Sequence, residues 1–219
     1  MTVEDLYIPN GAKVKEKTIL QPSDLSILFR EDNTILNGKE TYELFIQAFR
    51  FEALTGLRPG EVFGLKTDDV FGGYLHIKRS INSYGDVTSG KNENAQRSFM
   101  LTPYAKEILR IQADKLKELK IESDYIFPDL FGDPIKQVTY YKRWVRYRDV
   151  HKISAAYPYE LRHTFVSIVK KLPEGIIKPL VGHSKDMDTL GTYAHEVNGD
   201  AKLAADLVQE IFAGIIKIS

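Results

Sequence analysis

Cysteine is absent from the 219 residues, so disulfide cross-links and thiolate metal sites are excluded and the redox compartment is left open. Net charge is also missing, since 30 Lys and Arg balance 30 Asp and Glu. Nucleic-acid binders commonly carry a basic excess, so this balance weighs mildly against that class. No apolar run approaches the ~20 residues that a membrane span requires. The opening Met1-Thr-Val-Glu-Asp-Leu6 has neither the basic n-region nor the apolar h-region of a secretory signal. The expectation is a cytoplasmic protein with no membrane partner. Internal repeats and low-complexity tracts are lacking as well. The five histidines show no H-E-x-x-H spacing and no companion paired-carboxylate motif, which argues against a metal-dependent nuclease.

What is present is ordinary in bulk and uneven in distribution. An apolar fraction of 43% and a charged fraction of 27% fit a globular chain with ample length for a core. Between Lys136 and Lys171 nine Lys and Arg face only Asp149 and Glu160, whereas from Asp186 to Ser219 six acids face two lysines. A basic block followed by an acidic tail suggests one surface for DNA and a terminal segment facing elsewhere; a solvated helix face explains any single lysine equally well.

Residues 1–18 hold Pro9, Gly11 and a Lys/Glu mixture without periodicity, and read as a linker ahead of a domain spanning 19–219. Pro22-Ser23-Asp24 opens a helix with Ser23 as the expected N-cap. Leu44, Phe45, Ala48, Phe51 and Leu54 follow helical spacing across 41–55, and Gly56 is placed to cap that helix. Val70-Phe-Gly-Gly73 reads as a turn into a strand over 74–81, with 98–101 as its return strand and 82–97 as a long polar hairpin loop. The remainder reads as helices over 103–120, 136–150, 158–171, 174–182, 186–194 and 200–217, with Pro103, Pro134, Pro158 and Pro173 at or just before four starts. The fold class is α+β, mostly helical, with a small antiparallel sheet.

Four blocks carry chemistry. Thr55-Gly-Leu-Arg58-Pro-Gly-Glu61 and Tyr159-Glu-Leu-Arg162-His-Thr-Phe165 each present an arginine. Val181-Gly-His183-Ser184 presents an imidazole, and Thr189-Leu-Gly-Thr-Tyr193-Ala-His195 a phenol ten residues beyond His183. Two guanidiniums, an imidazole and a tyrosine hydroxyl suffice to hold a phosphodiester and attack it without a metal. Singly, each residue has a plain structural explanation: turn punctuation for Arg58, a surface arginine for Arg162, packing for one of twelve tyrosines.

In order and in flanking residues these blocks resemble the tyrosine recombinase (phage integrase) family, from about Ile19 to the C-terminus. The resemblance implies that Arg58 and Arg162 are the catalytic arginines, that His183 hydrogen-bonds the scissile phosphate and that Tyr193 is the nucleophile, forming a 3′-phosphotyrosyl link. It also implies a general-acid lysine on the β-hairpin loop. Thr88-Ser-Gly-Lys91-Asn-Glu-Asn-Ala-Gln-Arg97 resembles that loop, making Lys91 the candidate and Lys78 the next. Glu61 is expected to orient the site or simply to begin a helix. His163, neighbour to Arg162, points about 100° away around a helix and reads as structural. His195 reads as a packing or phosphate-contact residue.

Tyr159 departs from the pattern, because most family members have histidine three residues before the second arginine. A phenol with an ordinary pKa of about 10 is a poor base near neutrality but still offers one hydrogen bond. Tyr159 is therefore expected to orient the phosphate, and the proton acceptor for Tyr193 is left unassigned.

The function expected is site-specific DNA recombination, integration or excision, without ATP, metal or other cofactor. The partners expected are double-stranded DNA and further copies of the chain, as a tetramer on DNA and a monomer alone. A bacterial, phage or mobile-element source follows from the same resemblance. Family members usually carry an N-terminal core-binding domain, and nothing before Ile19 could form one, so the expectation is a truncated chain. Two alternatives stand beside this: a type IB topoisomerase-like enzyme that relaxes DNA, and a DNA-binding protein with a decayed site. The apolar face of the last helix (Leu203, Leu207, Val208, Ile211, Phe212, Ile215) fits either docking on a neighbouring protomer or an ordinary core helix.

Overall fold

The computed structural model describes residues 18–88, 96–154, 157–181 and 199–216. Its buried centre is α2 (Ile46–Thr55), all ten of whose residues are buried, including Arg50 and Glu52. A helix buried on every side must be surrounded, and α2 lies among α1 (Pro22–Arg30), α4 (Pro103–Leu119), α5 (Gln137–His151) and α6 (Pro158–Val169).

Spacing explains the two helices that matter most for the site. Tyr140, Trp144 and Tyr147 recur at i, i+4 and i+7 along α5 and are fully buried; their rings meet Phe49 of α2 at centroid distances of 4.7, 5.0 and 6.2 Å. On α6, Leu161, Phe165 and Val169 at i, i+4 and i+8 form the buried stripe, and Arg162 and Thr164 are buried beside it. Phe165 stacks on Phe212 of α8 (Asp200–Ala213) at 6.1 Å. The α8 face formed by Ala204, Ala205, Val208 and Phe212 thus packs on its own chain, as the core-helix alternative expected, while Leu203 stays half exposed.

The sheet is small and antiparallel. β3 (Val70–Phe71), β4 (Tyr74–Ile77) and β7 (Arg97–Met100) form three strands in that order, with Tyr74 opposite Met100 and Ile77 opposite Arg97. β5 (Ser80–Ile81), at the end of the expected strand, pairs with β6 (Val87–Thr88), which lies within the segment expected to be loop. α3 (Pro59–Gly64) links α2 to the sheet, and α7 (Glu174–Val181) follows α6.

Several expectations need correction. A hairpin of β1 (Asn33–Leu36) and β2 (Lys39–Tyr42) precedes α2, so that helix begins at Ile46 rather than near Thr41. The first helix is capped at Gln21, not Ser23: Pro22 already occupies its first turn, and the Asp24 carboxylate accepts the Gln21 N–H at 3.0 Å. The turn expected at 70–73 contains β3, and the strand expected over 74–81 is two short strands. The linker expected over 1–18, all but its last residue, and the helix expected at 186–194 lie outside the described residues.

Candidate active site

Arg58 owes its position to a change of direction between two helices. α2 ends at Gly56, whose φ of 65° is left-handed, and whose carbonyl consequently turns back toward α6. A Cβ at Gly56 would lie 2.4 Å from Phe165 Cδ1, so close packing and backbone angle both select glycine. Leu57 is buried, and Arg58 then takes an extended conformation (φ −74°, ψ 148°) as the N-cap of α3, with Pro59 at the first helical position. Gly60 is required by proximity, since a Cβ there would sit 2.5 Å from the Ile81 carbonyl oxygen on β5.

Glu61 closes this turn. One carboxylate oxygen accepts the Arg58 backbone N–H at 2.9 Å and the other accepts Arg58 Nη1 at 3.0 Å. Only 3% of Glu61 is exposed, against 40% of the Arg58 side chain, so the acid faces inward and the guanidinium reaches the surface. Arg97, the first residue of β7, meets the same carboxylate with two parallel bonds, Nη1 to Oε1 and Nη2 to Oε2, both 2.9 Å. Its Nε donates to the Leu180 carbonyl at 3.1 Å. Burial pushes the Glu61 carboxyl up, but the bonds and charge of Arg97 and the amide and charge of Arg58 more than offset this and hold it below the ordinary value.

Arg162 reaches the same place from α6. Its Nη1 donates to the Gly56 carbonyl at 2.5 Å and its Nη2 to the Val181 carbonyl at 2.7 Å, and 4% of the residue is exposed. Burial first, and then the nearby Arg58 charge, bring its guanidinium down to about 10, with Glu61 and Tyr159 opposing. At neutral pH it remains a cation. Three guanidiniums and one carboxylate leave a net charge of +2 here, from groups held mainly by backbone carbonyls and by one another.

The structure therefore brings together Arg58, Arg162 and Tyr159 of the expected set. Tyr159 is 40% exposed, its ring edge meets His163 at 5.1 Å, and its hydroxyl lies within electrostatic reach of Arg162. It lines an open hollow of about 370 Å³ with Tyr141, Tyr157, Glu160 and His163. Lys91, His183, Tyr193 and His195 lie outside the described residues. Val181, whose carbonyl holds Arg162, directly precedes the Gly182-His183 block. Lys78 is ion-paired with the buried Asp69 at 3.1 Å, and Asp69 also takes Arg79 at 2.6 Å, which gives Lys78 a structural task of its own.

Sequence reasoning missed Arg97 as a member of this cluster and left Glu61 between two roles. The alternation of β7 contained a hint: Arg97 and Phe99 share one face of the strand, and Phe99 is core. An arginine on the inward face of a short strand needs a buried acid, and Glu61 is that acid.

The sequence pattern of the phage integrase family matches residues 20–199. Among solved structures, the Tn1549 transposon integrase in complex with a circular intermediate DNA superposes with a TM-score of 0.65 at 18% identity, over 95% of this chain and 70% of that one. XerA recombinase gives 0.59 at 19%, over 91% and 66%. The lambda integrase dimer bound to a core site gives 0.54 at 18%, over 87% and 66%. At such identities the likeness is one of fold. No curated protein sequence matches this one.

Proposed function

Because the chain belongs to the phage integrase family, we propose that it recombines DNA at specific sites, cutting and rejoining strands through a covalent link between Tyr193 and the scissile phosphate. The observation that carries this reading is the pair of guanidiniums, Arg58 at the surface and Arg162 beneath it, fixed by Glu61 and by the Gly56 and Val181 carbonyls before any DNA arrives. A phosphodiester carries one negative charge and gains a second as the phenolate oxygen adds. A net charge of +2 already in place stabilises that gain without reorganisation.

The steps balance without an energy source. The Tyr193 hydroxyl gives up its proton as its oxygen bonds to phosphorus, the bond from phosphorus to the 5′ oxygen breaks, and one phosphodiester is exchanged for another, with one proton released and one taken up. The leaving oxygen takes a proton, for which Lys91 is the proposed donor; such a donor typically contributes about 10²–10⁴-fold. His183 and Tyr159 are proposed to hydrogen-bond the phosphate, Tyr159 through its hydroxyl beside Arg162. Rejoining reverses these steps with a different 5′ hydroxyl. Exchange between two duplexes breaks four strands and each chain supplies one nucleophile, so a tetramer on DNA is the assembly proposed.

The test is a duplex nicked just beyond the cleavage site, so that the short 5′ fragment diffuses away and traps the intermediate. The protein should form a covalent adduct that withstands denaturant, and Tyr193→Phe should form none while binding DNA within a few-fold of wild type. Adduct persisting in Tyr193→Phe would move the nucleophile elsewhere, and none in the wild type would refute the reading.

A further inference from the structure

A carboxylate beside a phosphate-binding arginine poses a problem that this fold must solve. Glu61 is 3% exposed and touches Arg58 at 3.0 Å, so it competes with a phosphate for the same guanidinium. In a low-dielectric setting an acid facing a single arginine would draw it in and neutralise it. Yet the acid is needed: its second oxygen accepts the Arg58 N–H and fixes the turn from which that side chain leaves.

Arg97 resolves this conflict in the geometry. It takes both oxygens of Glu61 in a parallel fork at 2.9 Å, while Arg58 has one oxygen through one nitrogen. Its Nε ties to the Leu180 carbonyl, adjacent to the Val181 carbonyl that holds Arg162. The Arg97 side chain is 8% exposed and turns its two terminal nitrogens onto Glu61, whereas Arg162 is held by backbone carbonyls alone and keeps its charge uncompensated. One residue thus joins β7, the turn bearing Arg58 and the end of α7.

We propose that Arg97 is a positioning residue for strand cleavage: it neutralises Glu61, so that Glu61 can shape the Arg58 turn while the Arg58 guanidinium stays available to the scissile phosphate. The proposal rests on the recombinase reading above. An ion pair that merely supports the fold would occupy the same coordinates, so the test turns on the sign of a combination rather than on loss of activity.

Arg97→Met removes the fork and leaves Arg58 as the cation on Glu61. Single-turnover adduct formation at saturating nicked DNA, measured well below the melting temperature of each variant, should fall roughly 10²-fold, the scale of losing one preorganised charge contact. Adding Glu61→Gln removes the competing charge but keeps an oxygen for the Arg58 N–H. Arg97→Met/Glu61→Gln should therefore be at least about 10-fold faster than Arg97→Met alone. Arg97→Lys, which retains the charge, should lose less than Arg97→Met. A double variant no faster than Arg97→Met, or equal losses in Arg97→Lys and Arg97→Met, would overturn the proposal, since a purely structural pair predicts recovery of melting temperature and not of rate.

A second measurement does not depend on cleavage. In protein labelled with ¹⁵N-arginine, the Arg58 Nε–H should exchange with solvent more slowly in Arg97→Met, as Glu61 captures the guanidinium, and should return toward wild type in the double variant. Arg58 signals unchanged by Arg97→Met would overturn the positioning role. Absence of adduct in the wild type, with the Arg58 signals responding as described, would instead overturn the recombinase reading and leave the Arg97 geometry standing.

Discussion

Replacing Gly56 with alanine perturbs the one residue at which helix capping, core packing and the arginine site coincide. Alanine at φ 65° bears a left-handed penalty of roughly 1–2 kcal/mol. Its methyl would lie 2.4 Å from Phe165 Cδ1, and Phe165 is itself stacked on Phe212. Overpacking of this kind costs about 1–3 kcal/mol. The sum is about 3 kcal/mol, which for a chain of this size lowers the melting temperature by ~6–12 °C. Thermal denaturation followed by far-ultraviolet circular dichroism measures it. Phe165→Leu separates the two contributions, because in that background Gly56→Ala should retain only the backbone part. The Gly56 carbonyl also accepts Arg162 at 2.5 Å, so adduct formation should fall even far below the melting temperature. A shift under ~3 °C, or a Gly56→Ala penalty unchanged by Phe165→Leu, would refute the reasoning.

Two further outcomes follow from other residues. Tyr159→Phe should slow cleavage by roughly 10–150-fold, the value of one hydrogen bond to a charged group; Tyr159→His should be tolerated, and an unchanged rate in Tyr159→Phe would make the ring a packing element. Glu52 is fully buried with Tyr140 Oη donating to it at 2.9 Å, and burial raises its carboxyl well above the ordinary range. Its stabilising effect is therefore full below about pH 4.3 and is lost as pH rises toward the folded-state value, because only the unfolded chain ionises in that interval. Glu52→Gln should gain on wild type by up to ~1.4 kcal/mol per pH unit across that interval in urea denaturation. Parallel stability curves for the two proteins would show that Glu52 is not held neutral.

Features written in local patterns were legible in the sequence. The buried stripe of α6 is visible as Leu161, Phe165 and Val169, and the end of α2 as glycine after a helical run. Arg58 and Arg162 could be named because their neighbours are distinctive. The β1–β2 hairpin was missed although Asn37-Gly38 marks its turn, with φ of 50° and 74°, because its strands are mostly exposed and lack apolar alternation. Arg97 was missed for a different reason. Its meaning lies in Glu61, on an element that the strand approaches only after the chain has folded, and no period or spacing in one sequence encodes such a pairing. Glu52 was equally silent, being an acid in a helix that every neighbour happens to surround.

The aromatic layer between α2 and α5 has a practical consequence. Trp144 is the only tryptophan, has no exposed surface, and lies against Phe49 and Tyr147 at 5.0 and 6.1 Å. Its emission should be blue-shifted and shielded from collisional quenchers such as acrylamide, shifting to the red only when the α2–α5 layer opens. Intrinsic fluorescence is thus a built-in indicator of whether the scaffold is intact, insulated from events at the arginine surface. A variant inactive with native emission has lost chemistry, and one inactive with red-shifted emission has lost its fold.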